Sequence, residues 1–147
     1  MDELLLLPEE KHGALTELYR SAGLEIGDDW IEVCRPVWSV AARRGEAILG
    51  AATVSRRYQR LVLDYLAVTS DARGLGLGKA LAEKCIDYAT QMGEAALWIA
   101  AREPDFYQKL GAKETEDEAL LEDCRRCPDY RKNCLPKELV FDLKETP

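Results

Sequence analysis

The sequence predicts an α/β domain of the mixed α+β kind, in which one mixed sheet carries helices on both faces. Three observations carry this. Two β-prone runs, 37–42 and 47–54, flank a short loop at Arg44 and Gly45, which is a hairpin signal. A further strand run at 61–68 passes through a glycine-rich turn into a long helix and then into the apolar run 95–101, which is a crossover. No repeat or low-complexity linker divides the 147 residues, so they are expected to form a single domain over 1–147.

The elements follow in order. Residues 4–7 are four leucines and read as a short strand, after which Pro8 suits the start of a helix. Leu15, Leu18, Tyr19 and Ala22 recur at helical spacing, and Gly23 fits the C-terminal cap. A second helix is expected over 28–35, interrupted by Pro36. In 61–68, strict alternation places Leu61, Leu63, Tyr65 and Ala67 on one face and Val62, Asp64, Leu66 and Val68 on the other. The long helix keeps an apolar stripe of Leu77, Leu81, Cys85, Tyr88 and Met92, and Gly93 closes it. After the strand at 95–101 come a short helix at 104–110 capped by Gly111, a short strand at 112–115 and a last strand at 139–143. The polar, cysteine-bearing stretch 116–137 lies between those two strands.

Charge and composition narrow the function. Lys and Arg number 20 against 27 Asp and Glu, a net charge of −7. That balance lacks the basic face that nonspecific duplex binding needs, so no nucleic-acid partner is expected, while a cationic amine substrate is compatible with it. No run approaches the ~18 apolar residues of a membrane span. The start, Met1-Asp2-Glu3, is acidic where a secretory signal is basic, and Pro8 ends the apolar run early, so a cytoplasmic location is expected. Five cysteines in a reducing compartment argue against a disulfide framework.

The strongest chemical signal is Arg73-Gly74-Leu75-Gly76-Leu77-Gly78-Lys79 between a strand and a helix. Glycines let backbone N–H groups converge without Cβ obstruction, and the helix start adds the positive end of its dipole. Arg73 and Lys79 add charge, so a phosphate or diphosphate is the natural occupant; the bland alternative is a plain glycine turn capping a helix. A Walker A loop fails because its first Gly and its Ser or Thr fall on Arg73 and Ala80. The dinucleotide fingerprint fails because its last Gly falls on Lys79 or Leu81. What remains is R-x-x-G-x-G on Arg73, Gly76 and Gly78. It resembles the acyl-CoA diphosphate loop of the GNAT superfamily of acetyl-CoA-dependent N-acetyltransferases.

The resemblance extends further. Residues 63–68, LDYLAV, resemble the family's central strand, and Phe106-Tyr107-Gln108-Lys109-Leu110-Gly111-Ala112 resembles its F-Y-x-K-L-G-F segment, with Ala112 in place of the aromatic. It implies a mostly antiparallel central sheet with a splayed strand pair that holds acyl-CoA. Leu66, Ala67 and Val68 would bond the pantetheine through their backbones as an added strand does, and 73–79 would hold the diphosphate. An N–H near Leu66 would stabilise the oxyanion. Tyr107 takes the family's general-acid position, and a phenol of pKa about 10 is protonated at neutral pH. The implied reaction is direct attack by a primary amine, of a small molecule first of all, on acetyl-CoA in a ternary complex. The alternatives are a protein lysine or N-terminal acetyltransferase, or a non-catalytic module sensing CoA or metal. A homodimer formed through the last strands is also compatible.

Other residues are less defined. By strand parity Asp64 shares a face with Leu66, where its carboxylate can take a proton through water or stand as a solvated or ion-paired group. Glu32 and Glu103 are weaker candidates for a base. His12, the lone histidine, is expected on the surface of the first helix, outside any motif. Many family members carry Asn where this chain has Ala100; Arg102 is a substitute contact for phosphate or carboxylate. Trp30 and Trp38 can line the acceptor side or pack in the core. Cys124, Cys127 and Cys134 can turn three thiolates toward one zinc ion, completed by Asp123, Asp129, Cys34 or His12, or can simply pack. Cys34 and Cys85 read as core.

Overall fold

The computed structural model describes residues 3–24, 26–57, 59–115 and 137–143. Strand β1 is Leu4–Pro8, followed by a 3-10 turn His12–Leu15 and helix α1, Thr16–Ser21. Helix α2 is Trp30–Cys34, β2 is Pro36–Arg44, β3 is Ala47–Arg57 and β4 is Arg60–Val68. A 3-10 turn, Ser70–Ala72, leads to α3, Leu77–Gln91, then β5, Ala96–Ala101, and α4, Pro104–Lys109. Strands β6, Lys113–Glu114, and β7, Lys137–Asp142, are the last of the described elements.

These strands form one sheet in the order β1-β2-β3-β4-β5-β7-β6. Every neighbouring pair is antiparallel except β4 and β5, which run parallel on either side of the α3 crossover. The mixed, mostly antiparallel sheet is as expected. Pro8 departs from expectation: it ends β1 opposite Val40 instead of opening a helix. An edge strand tolerates proline because its outward N–H need not enter a ladder.

Helices cover both faces. On one, Leu77, Leu81, Cys85 and Ala89 of α3 pack on Val40, Ala52, Leu63, Leu97, Leu139 and Phe141, with Tyr107 and Leu110 of α4 joining the cluster. On the other, Leu15, Tyr19, Trp30 and Cys34 pack on Ala41, Ala51 and Ala67. Alanines on the sheet let the aromatic rings of α1 and α2 lie close to it. Trp30 is further pinned where its Nε1 donates to Thr16 Oγ1 at 2.9 Å.

Alternation along β4 breaks midway. Thr53 pairs with Tyr65 while Val54 pairs with Leu63, so β4 holds one extra residue, Asp64, against β3. Such a bulge bends the strand and resets which side chains face which way. Leu61 and Leu63 therefore share the α3 face with Leu66 and Val68, whereas Tyr65 and Ala67 face α1 and α2. The expectation that Leu61, Leu63, Tyr65 and Ala67 share one face, and Asp64 the face of Leu66, is corrected by this extra residue.

Candidate active site

The bulge matters for what lies beside it. The parallel register between β4 and β5 contains the single pair Val62 and Trp98. Beyond it, the β5-side edge of β4 has no ladder partner among the described residues, while its other edge stays paired, Leu66 with Ala52, Ala67 with Ala51 and Val68 with Gly50. Leu66, Ala67 and Val68 thus have one backbone edge committed to the sheet and one available to an extended ligand. Val68, Thr69, Ser70 and Arg73 line a recess of about 170 Å³ with Ser21 and Ala22 at the end of α1. Thr69 Oγ1 is buried there without a hydrogen-bond partner among the described residues. Sequence reasoning passed over Thr69; the only available signal was its place between the strand and the glycine loop.

The recess leads to the start of α3. Gly74 has φ +87° and Gly76, the N-cap, φ +76°. A side chain in that left-handed region costs about 1–2 kcal/mol. No side chain caps the first turn, and the first bond within the helix runs from Ala80 N to Gly76 O. The N–H groups of Leu77, Gly78 and Lys79 therefore lack acceptors inside the helix, the arrangement that receives anions. Leu77 is buried, so only its backbone serves, while Leu75 is 58% exposed. A Cβ on Gly78 would stand 3.3 Å from Phe106 Cζ, so glycine lets α4 close on α3. Lys79 and Lys109, with Glu83, Ile86 and Leu110, line a groove of about 420 Å³ between these helices.

Tyr107 lies on α4, with its ring edge-on to Phe106 at 4.9 Å. Burial, with the Cys85 and Glu103 groups nearby, raises its phenol above the ordinary value, so it stays protonated. No described residue hydrogen-bonds its hydroxyl. Asp64 lies at the bulge, with Oδ1 3.2 Å from Nη2 of Arg57, so the ion-paired reading of this carboxylate is the one observed. On the same stretch of sheet Arg60 lies 4.0 Å above the Trp98 ring and 3.4 Å from Glu138.

The remaining expectations divide. Arg102 donates to the Gly23 carbonyl at 2.9 Å and ties β5 to the end of α1. His12 opens the 3-10 turn that runs into α1 and is half-buried, its Nδ1 2.7 Å from Ser39 Oγ. Trp30 is core, and Trp38 stacks on Tyr88 at 4.7 Å. Cys34 and Cys85 are buried, and Cys34 Sγ lies 3.5 Å from Tyr65 Oη. Cys124, Cys127 and Cys134, the possible zinc ligands, lie outside the described residues. Among the described residues no group of three or more His, Cys, Asp or Glu is placed to hold a metal, and no helix is long and apolar enough to cross a membrane.

Comparison with known proteins agrees with this geometry. The acetyltransferase (GNAT) family model matches residues 4–112. A GNAT family acetyltransferase from Elizabethkingia anophelis with acetyl-CoA bound is similar over 97% of this chain and 100% of its own, at 17% identity and a TM-score of 0.75. An acetyltransferase from Bacillus subtilis in complex with CoA is similar over 96% and 99%, at 21% identity and a TM-score of 0.71. N-acetylglutamate synthase from Neisseria gonorrhoeae, with coenzyme A and N-acetyl-glutamate, gives a TM-score of 0.72 at 19% identity; 96% of this chain spans 36% of that one. At these identities the structures establish a shared fold, and the family model, which covers most of the chain, establishes kinship. The chain belongs to the GNAT family of acetyltransferases, enzymes that transfer an acetyl group from acetyl-CoA.

Proposed function

We propose that this protein transfers the acetyl group of acetyl-CoA to a primary amine of a small molecule. The observation that carries the reading is the continuity of the available β4 edge at 66–68, the recess at Thr69 and Arg73, and the uncapped start of α3. One extended ligand with a diphosphate in its middle matches all three. The backbones of Leu66, Ala67 and Val68 pair with the pantetheine as an added strand. Arg73 and the amides of the Gly74-Leu75-Gly76-Leu77-Gly78-Lys79 run hold the diphosphate. An N–H beside Leu66 faces the thioester oxygen and stabilises the charge that develops on it. Tyr107 donates the proton that the departing thiolate needs. Asp64, held by Arg57 at the bulge, receives the proton of the attacking amine through water.

The test is thiol release from acetyl-CoA across a panel of small amines, with acetylated product identified by mass. Turnover with small amines is the expected result. Labelled peptides in place of small amines would move the assignment to a protein acetyltransferase, and no binding of acetyl-CoA by folded protein would refute the site. Asp64→Asn tests the base: kcat for the best amine should fall by about 10²–10⁴-fold at neutral pH while acetyl-CoA affinity stays the same.

A further inference from the structure

Four polar side chains form one unbroken line through the α1 face of the sheet. Tyr19 Oη lies 2.7 Å from Thr53 Oγ1, Thr53 Oγ1 lies 2.8 Å from Ser39 Oγ, and Ser39 Oγ lies 2.7 Å from His12 Nδ1. Tyr19 and Thr53 are 0% exposed and Ser39 1%. Only His12, the single histidine of the chain, reaches toward water. At the inner end the Tyr19 ring stacks on Tyr65 at 5.1 Å, and Trp30 stands edge-on to both. Tyr65 directly precedes Leu66, so the line ends beneath the strand assigned above to acetyl-CoA, and the inference rests on that assignment.

Each hydroxyl of the line has one hydrogen to donate and two lone pairs to accept with, so the acceptor at the end of the line decides whether every hydrogen finds a place. With His12 neutral and Nδ1 accepting, Tyr19 donates to Thr53, Thr53 to Ser39 and Ser39 to His12, and every hydrogen is used. A protonated imidazole donates from both nitrogens. Ser39 must then accept from His12, and among the bonds of the line one hydroxyl hydrogen loses its acceptor; where the whole order reverses, it is that of Tyr19. Thr53 is its only hydrogen-bond partner among the described residues. Stranding a buried donor is equivalent to about 5–150-fold in an equilibrium coupled to it.

We propose that His12 is a positioning residue for cofactor binding: when neutral it orients the Ser39–Thr53–Tyr19 line and seats Tyr19 against Tyr65 of β4, and when protonated it loosens α1 from β4 and weakens acetyl-CoA binding.

The charges around the ring are few. Burial lowers the affinity of His12 for a proton and Glu9 opposes this, with burial the larger effect. Glu9 is itself engaged by the Arg43 side chain of β2 and the Lys11 N–H. On α1, Arg20 is paired with Glu17 and with Asp28. Protonation therefore falls below the ordinary histidine value of about 6.5, and the switch works in mild acid.

The test uses the full chain and acetyl-CoA in calorimetry at neutral and mildly acidic pH. The His12→Asn variant keeps an acceptor where Nδ1 stands, cannot be protonated, and reports any titration of the ligand itself. The wild-type protein should lose about tenfold more affinity on acidification than His12→Asn does. Thr53→Val cuts the line while leaving His12 against Ser39. In that variant nuclear magnetic resonance should show the lone imidazole still titrating, with the extra loss of affinity gone. Ser39→Ala cuts the same line if Thr53→Val does not fold. Retention of the extra loss in the cut variants, or no extra loss in the wild-type protein, overturns the proposal. If folded wild-type protein binds no acetyl-CoA even at neutral pH, the assignment of β4 fails separately. Exchange of the Ala22 and Leu24 amides, bonded to Leu18 and Tyr19, then decides. Faster exchange in acid that His12→Asn abolishes supports the line, and unchanged exchange overturns it.

Discussion

Tyr107→Phe separates chemistry from folding. The variant removes one oxygen and keeps the ring, so its contact with Phe106 and its packing beside Leu110 on the α3 face persist. No described residue hydrogen-bonds the hydroxyl, so no partner is left behind, and stability should change by no more than about 0.5 kcal/mol. Cofactor affinity should also hold, since β4 and the α3 turn are untouched. Turnover is different. A positioned proton donor contributes about 10²–10⁴-fold, or about 2.7–5.4 kcal/mol of barrier. The expected result is a fall of that size in kcat for acetyl transfer to the best amine of the panel, with an unchanged acetyl-CoA Kd. The pH profile adds a second check. Burial holds the phenol above its ordinary value, so the donor form persists through neutral and mildly alkaline pH, and no falling limb there belongs to Tyr107. Unchanged kcat in Tyr107→Phe, or a falling limb near pH 8 that the variant removes, would refute the assignment.

Three further outcomes follow from the same geometry. Gly76→Ala places a Cβ in open space but at φ +76°; urea denaturation should show about 1 kcal/mol of lost stability from backbone strain alone, with weaker acetyl-CoA binding. Lys79→Ala and Lys109→Ala remove the two cations of the groove between α3 and α4; calorimetry should show acetyl-CoA affinity falling about two- to fivefold in each, and the difference shrinking in high salt. Burial raises the phenols of Tyr19, Tyr65 and Tyr107, so the folded chain holds those protons more tightly than the unfolded one; stability is intact below the unfolded pKa of about 10 and declines above it, and tyrosinate absorbance should show these rings ionising only as the protein unfolds.

The glycine turn was legible in the sequence because its physics is local. Gly74 and Gly76 need a left-handed backbone, and a strand before and a helix after them are visible as periodicity. The 37–54 hairpin and the α3 crossover were legible for the same reason, since each announces itself within a few residues, whereas the place of β7 between β5 and β6 is set by long-range pairing. Asp64 was not. Its residue type gives no sign of the bulge, because an extra residue in β4 is defined only against β3, a separate stretch of chain. Every parity argument downstream of position 63 inherited that error. Pro8 misled in a similar way: a proline fits a helix start and an edge-strand end equally well, and only the pairing with Val40 decides. His12 shows the limit most clearly. Nothing near it in the sequence marks a functional residue, and its partners Ser39, Thr53 and Tyr19 come from three other elements. Each of the three is a polar side chain that a periodicity reading assigns to a face and then leaves. They become a connected path only when β2, β3 and α1 are brought together, and the fold does this on the face opposite α3. The cofactor side of this protein is therefore written in short motifs, whereas the side that positions β4 is written in long-range pairing.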